Sequence, residues 1–197
     1  MKSITYWHPF LYKILMKLLF RGSYNSRYLE IANIIENNSS VIDVCCGDAK
    51  LYEFLKKKNI KYTGVDFSRT FYNFLKKKKI DILNIDIKNE KIPIKADYVV
   101  IQSSLYQFIP NHIDLVKKLL AASKKYLIIQ ETVKSYTTSP NKLVSVIGKF
   151  LNNPGDGYKT DRLDRKKLLN DLNTINNKII LKKEFNCYKD ITVVIKK

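Results

Sequence analysis

Asp43-Val44-Cys45-Cys46-Gly47-Asp48-Ala49 closes a short apolar run, residues 41–45, and opens a helical pattern over residues 51–58. A strand that turns into a helix through a glycine brings backbone close to whatever lies above the turn, because glycine carries no Cβ. The same rhythm continues outward. Residues 62–65 read as a strand and 70–78 as a helix, 80–87 and 98–101 as strands, 112–123 as a helix and 126–129 as a strand. Strands alternating with helices predict a mostly parallel sheet covered by helices on both faces. Upstream, residues 24–37 form a further helical pattern with Tyr28, Ile31, Ile34 and Ile35 apolar. Downstream, a helix over 163–172 is followed by two β-rich runs, 178–185 and 191–196, around a short connection at 186–190. Such a pair predicts an antiparallel hairpin at the sheet edge.

Ligands of open parallel sheets bind beyond the carboxyl ends of the strands, near the point where strand order reverses. The residues at those ends are the Asp43–Ala49 stretch, Val65-Asp66-Phe67, Asn84-Ile85-Asp86-Ile87 and Gln102-Ser103-Ser104. An aspartate such as Asp66 can accept two hydrogen bonds at once, which suits a vicinal diol. The first turn holds only Gly47 of a G-x-G-x-x-G pattern, so a nicotinamide dinucleotide is not expected. Cys45 and Cys46 read as small buried apolar residues rather than a redox pair.

Taken together, these strand ends resemble the class I S-adenosylmethionine (SAM) dependent methyltransferases, over roughly Tyr24 to the C-terminus. The resemblance implies a Rossmann-like α/β fold, with a seven-stranded, mostly parallel sheet, helices on both faces and a C-terminal antiparallel hairpin. It implies SAM as cofactor and assigns Asp43, Cys45 and Gly47 to the cofactor loop. Asp66 would hold the ribose hydroxyls, Phe67 the adenine face and Asp86 the adenine amino group, with Ile87 beside it. Gln102 falls in the family's fourth motif, residues 96–105, and Arg27 stands where some members bind the cofactor carboxylate. Two family glycines are replaced, by Cys45 and Ala49. A left-handed backbone at Cys45 would cost about 1–2 kcal/mol.

No residue stands out as a general base; the candidates are Glu131, His112, Tyr106 and Asp156. Residues 135–159, with Pro140, Pro154, Gly155 and Gly157, are long enough to form a lid. Residues 1–23 read as an amphipathic helix ahead of the 24–197 domain, because Lys13, Lys17 and Arg21 stripe an apolar run at 10–20. Such a helix either caps the domain or lies on a membrane surface through residues 1–22. That segment, with Tyr106, Phe108 and Tyr136, would wall an apolar pocket, so the expected acceptor is a small molecule or a lipid-linked one.

Composition narrows the alternatives. A chain of 197 residues with 45% hydrophobic content suits one globular domain and excludes a disordered chain. Three cysteines are too few for a disulfide framework and point to a reducing, cytoplasmic setting, with peripheral membrane contact as an option. Two histidines and no Cys-x-x-Cys leave no expected metal site. The net charge of +18 favours acidic partners, yet only Arg21, Arg27, Arg69, Arg162 and Arg165 among 36 basic residues are arginine. Phosphate and base recognition lean on arginine. The lysine runs 56–58 and 76–79 are expected to end the first two crossover helices, and 124–125 to follow the helix after the fourth strand, all on the side away from the chemistry. Nucleic acid is therefore the less favoured partner. Two other functions stay open: an RNA-directed methyltransferase using Lys134, Lys142, Lys149, Lys159, Arg162 and Arg165, and a non-catalytic SAM-fold module that binds a membrane or partner.

Overall fold

The computed structural model describes residues 14, 24–133, 163–185 and 189–197. Helix α1 (Tyr24–Ile34) leads into strand β1 (Ser40–Val44), helix α2 (Lys50–Leu55) and strand β2 (Lys61–Asp66). Helix α3 (Arg69–Lys77), strands β3 (Ile82–Asn84) and β4 (Ala96–Gln102), helix α4 (His112–Ala122) and strand β5 (Ser123–Thr132) follow. Helix α5 (Arg165–Asn173) then precedes β6 (Ile179–Phe185) and β7 (Asp190–Lys196). The seven strands form one sheet in the order β3-β2-β1-β4-β5-β7-β6. The first five pair in parallel, and β7 runs antiparallel to both β5 and β6. This is the doubly wound sheet with a terminal antiparallel hairpin that the strand–helix rhythm predicts.

Alternation along the strands splits the core into two layers. Ile42, Val44, Val99 and Ile101 face α4 and α5, meeting Val116, Leu119, Leu168 and Leu172. Val41, Tyr62, Tyr98 and Val100 face α1, α2 and α3, against Ile31, Leu51, Leu55 and Leu75. Gly64 on β2 is needed for close approach: a Cβ there would stand 2.7 Å from the Cys46 sulfur.

Two expectations shift. The strand predicted over 80–87 pairs only through Ile82–Asn84. Beyond Asn84 the Asp86 carboxylate accepts from Lys88 N–H (3.1 Å) and Asn89 Nδ2 (2.8 Å), so a side chain supplies the bonds that a ladder would otherwise make. Ile85 and Ile87 remain buried beneath that turn, and Lys118 of α4 pins it by donating to the Ile87 carbonyl at 2.7 Å. As expected, Lys124 and Lys125 follow α4, which ends at Ala122 and runs directly into β5. The helix predicted over 163–172 starts at Arg165 because Asp164 caps it, accepting from Lys167 N–H at 2.7 Å.

Of the predicted N-terminal helix, only Ile14 is described, helical and exposed; the rest of 1–23 and the lid at 135–159 lie outside the described residues. No helix among the described residues is long and apolar enough to cross a membrane.

Candidate functional site

The parallel strands end together along one edge, and the loops there carry the residues of interest. After Val44 the backbone turns left-handed at Cys45 (φ 57°), Gly47 (φ 55°) and Ala49 (φ 55°), the last flanking the start of α2. Glycine meets this demand without strain at one position, while Cys45 and Ala49 carry about 1–2 kcal/mol each. Strain of this kind gathers where surrounding structure overdetermines the backbone, often at binding sites. The Cys46 N–H is held by the Val65 carbonyl (3.2 Å), and the Ala49 N–H by the Cys46 carbonyl (2.9 Å).

Asp66 knots three strand ends together. One carboxylate oxygen accepts from Gly47 N–H and the other from Ser68 N–H, both at 2.9 Å. Its carbonyl accepts from Asn84 Nδ2 at 3.0 Å, tying in β3. Only 8% of Asp66 is exposed, whereas the next residue, Phe67, is 39% exposed at the rim. Asp86 lies beyond β3, half-buried and engaged in its own turn, with buried Ile87 below. Asp43 sits deeper than the loop it precedes. It is buried and accepts from the Tyr62 hydroxyl at 2.8 Å. Desolvation, with the Asp66 and Asp48 charges adding, pushes its carboxyl up to about 7 against the opposing pull of that hydroxyl. Burial, then the Asp66 and Asp43 carboxylates, pushes both the Cys45 and the Cys46 thiols upward, so both stay protonated at neutral pH. Among the described residues no cluster could hold a metal ion.

The ends of β4 and β5 are joined by a buried polar network. Gln102 Nε2 donates to Gln130 Oε1 (2.6 Å), and Gln130 Nε2 donates to the Arg27 carbonyl (3.0 Å) and Thr192 (3.1 Å). The Arg27 guanidinium, 1% exposed, lies 3.5 Å from the Asp190 carboxylate and donates to Thr132 (3.2 Å) and to Ser103. Thr132 in turn donates to Asp190 at 2.7 Å. Ser103 is itself left-handed (φ 49°), held by the Gln130 carbonyl at 2.7 Å.

The base candidates are spread out. Glu131, 1% exposed, accepts from Leu105 N–H at 2.6 Å and anchors the turn that buries Tyr106. His112 opens α4 and is buried, with Nε2 2.8 Å from Asp171 of α5 and Nδ1 3.1 Å from the Pro110 carbonyl. Asp156 lies outside the described residues, as do Tyr136 and the lid lysines. The structure thus gathers Cys45, Gly47, Asp66 and Phe67 around one notch, places Asp86 and Ile87 beside β3, and sets Arg27 and Gln102 in the network at β4 and β5. Sequence reading missed Ser68, Gln130, Thr132 and Asp190. A run of polar residues ending an apolar strand, Gln130-Glu131-Thr132, was the available signal for two of them.

A family model described as methionine biosynthesis protein MetW matches residues 25–134. No curated protein matches the sequence. Among solved structures, an S-adenosylmethionine-dependent methyltransferase from Clostridium acetobutylicum ATCC 824 aligns with TM-score 0.63 at 17% identity, covering 94% of this chain and 97% of that one. Magnesium protoporphyrin IX methyltransferase (ChlM) from Synechocystis PCC 6803, with bound SAH, aligns with TM-score 0.64 at 13% identity over 88% of this chain and 80% of that one. The [4+2]-cyclase SpnF aligns with TM-score 0.67 at 11% identity over 90% and 82%. At these identities the likeness establishes the fold, that of the class I methyltransferases. Because the family match spans more than half of the chain, the protein belongs to the methionine biosynthesis protein MetW family.

Proposed function

We propose that the chain is a SAM-dependent methyltransferase acting on a small-molecule acceptor. The observation that carries this reading is the Asp66 junction, where a carboxylate, a left-handed loop and an exposed aromatic ring meet at the ends of β1 and β2. The residues fit an adenosine. Backbone N–H groups fix the Asp66 carboxylate at both oxygens, and a carboxylate can accept at both oxygens at once, which suits a ribose diol. Phe67 offers an apolar plate for the base, and Gly47 lets the nucleoside approach the backbone. The Asp86 turn would close the base end.

When bound, SAM supplies a methyl group already activated by its sulfonium. The chain's own task is then orientation and exclusion of water, which can account for much of the rate. Ser103 and Thr132, fixed by Arg27, set the shape of the β4–β5 side, where the acceptor would approach. Arg27 acts through those hydroxyls, since Asp190 balances its charge. Glu131 and His112 are committed to bonds within the fold and serve its architecture. The small-molecule reading is supported by ChlM, a methyltransferase named for magnesium protoporphyrin IX. The described lysine runs lie at the opposite edge from this notch, which counts against an RNA acceptor.

Calorimetric titration of SAM and SAH tests the reading. The wild-type chain is expected to bind both, and Asp66→Ala to weaken binding by about 10- to 100-fold, the worth of hydrogen bonds to a charged group. Asp66→Asn, which keeps an acceptor for one N–H, separates ligand loss from loop collapse when thermal melts are compared. Absence of binding by a folded wild-type chain, or unchanged affinity in Asp66→Ala, removes the proposal.

A further inference from the structure

We infer that the amino edge of the sheet, opposite the Asp66 notch, is a docking surface for an anionic membrane face. Lys61 opens β2, Lys95 precedes β4, and Lys124 and Lys125 lie at the start of β5. Antiparallel β7 ends at this same edge: Tyr126 pairs with Lys196, and the Lys197 N–H bonds the Lys125 carbonyl. The helices deliver more. The 3-10 turn Lys56–Lys58 follows α2, its last carbonyl taking the Asn38 N–H ahead of β1. The lysines at 76–79 end α3 ahead of β3. Apart from half-buried Lys58, these side chains are exposed.

Three acids lie along this edge and are outnumbered by its lysines. Glu36 pairs with Lys125 at 3.7 Å, Asp81 accepts from Thr63 at 2.8 Å, and Asp97 accepts from the Ser40 hydroxyl at 2.6 Å. The carboxyl edge, by contrast, carries Asp48, Asp66 and Asp86. Charge is therefore polarised across the molecule. Seven strands spaced about 4.8 Å apart make the basic strip roughly 30 Å wide.

The chemistry of the strip selects its partner. Every cation named on it is a lysine, a compact point charge without the planar fork that reads phosphate geometry. Single-stranded nucleic acid needs aromatic platforms. Rings beside the strip are already engaged: Tyr52, Tyr72 and Phe74 each have an ammonium over them, from Lys56, Lys76 and Lys78 at 5.2, 5.7 and 4.1 Å, and Tyr126 packs on Tyr98 with ring centroids 5.5 Å apart. Protein interfaces are depleted of lysine at their centres. A layer of anionic headgroups asks only for a broad field, which each lysine near the surface strengthens. Ile94 beside Lys95 and Ile180 near Lys178, 39% and 45% exposed, supply shallow apolar contacts at the strip's margin. Docked this way, the protein presents its carboxyl edge to water, so the inference stands whether or not SAM binds.

Co-sedimentation at physiological salt tests it, with vesicles of phosphatidylglycerol in phosphatidylcholine against phosphatidylcholine alone. Two full-length variants of equal net charge are compared with wild type, after melts show that both fold. K57Q/K61Q/K77Q/K124Q neutralises the edge, and K91Q/K117Q/K166Q/K182Q neutralises exposed lysines elsewhere. The expected result is retention of wild type on the anionic vesicles only, a loss of about tenfold or more for the edge variant, and a change within about twofold for the control. Failure of wild type to bind, or equal behaviour of the two variants, overturns the inference. So does a single-stranded RNA oligomer whose binding falls selectively in the edge variant while vesicle binding does not.

Discussion

Asp43 carries a carboxyl group inside a strand whose neighbours Val41, Ile42 and Val44 are all buried. Burial, with the Asp66 and Asp48 charges, lifts its titration from the ordinary 3.8 to about 7, the Tyr62 hydroxyl opposing. The sign for stability follows from proton counting. Between about pH 4 and pH 7 the unfolded chain has released this proton and the folded chain still holds it, so stability falls as pH rises through that window and levels off above it. Asp43→Asn is expected to flatten the fall and to be more stable than wild type above about pH 7, as read from urea melts at a series of pH values. Parallel curves for the two proteins would contradict this. The sequence placed Asp43 at the first strand's end, but not its raised titration, which needs burial in the packed sheet and the Asp66 carboxylate across the loop. Cys45 shows the reverse case: its cost as a glycine replacement was legible in the sequence, and φ of 57° realises it.

Helix ends and strand ends show how elements settle between local and long-range demands. At the end of α3 the Ile80 N–H bonds the Leu75 carbonyl and the Lys79 N–H bonds the Lys76 carbonyl, both at 3.0 Å. This is a Schellman ending, whose left-handed residue is usually glycine. Here it is Lys79, exposed, with φ of 57°. Lys79→Gly should relieve the strain at the expense of some chain entropy and a favourable helix-end charge, leaving a gain of about 0.5–1 kcal/mol. Calorimetry should then show a melting temperature higher by roughly 1–4 °C; a lower one would count against the assigned backbone. The run of lysines made the helix end legible. The early end of β3 was not, because Asp86 turns back on Lys88 and Asn89 where apolar alternation suggested continued pairing.

Across the whole molecule, Arg27 joins elements far apart in the chain. From α1 it reaches Ser103 after β4, Thr132 on β5 and Asp190 on β7, with both members of the ion pair at most 1% exposed. Removing one partner leaves a buried charge without its counterpart, so Arg27→Met and Asp190→Asn should each cost about 3–5 kcal/mol in denaturant melts. The double variant should lose less than the two losses together, since each single change already breaks the shared contact. Additive losses would mean that the two residues act separately.

The strand–helix rhythm, the terminal hairpin and the identity of the residues at the strand ends were determined by the sequence alone, because periodicity and turn chemistry are local and every residue carries them. The tertiary structure alone decided which polar groups lose contact with water and whom they meet. Arg27 stands in a helix with ordinary polar neighbours, and only the crossing of α1 over the ends of β4, β5 and β7 makes it a buried cross-link. The basic edge likewise comes from several separate stretches of chain, which become one surface only when parallel and antiparallel strands start and finish along the same line.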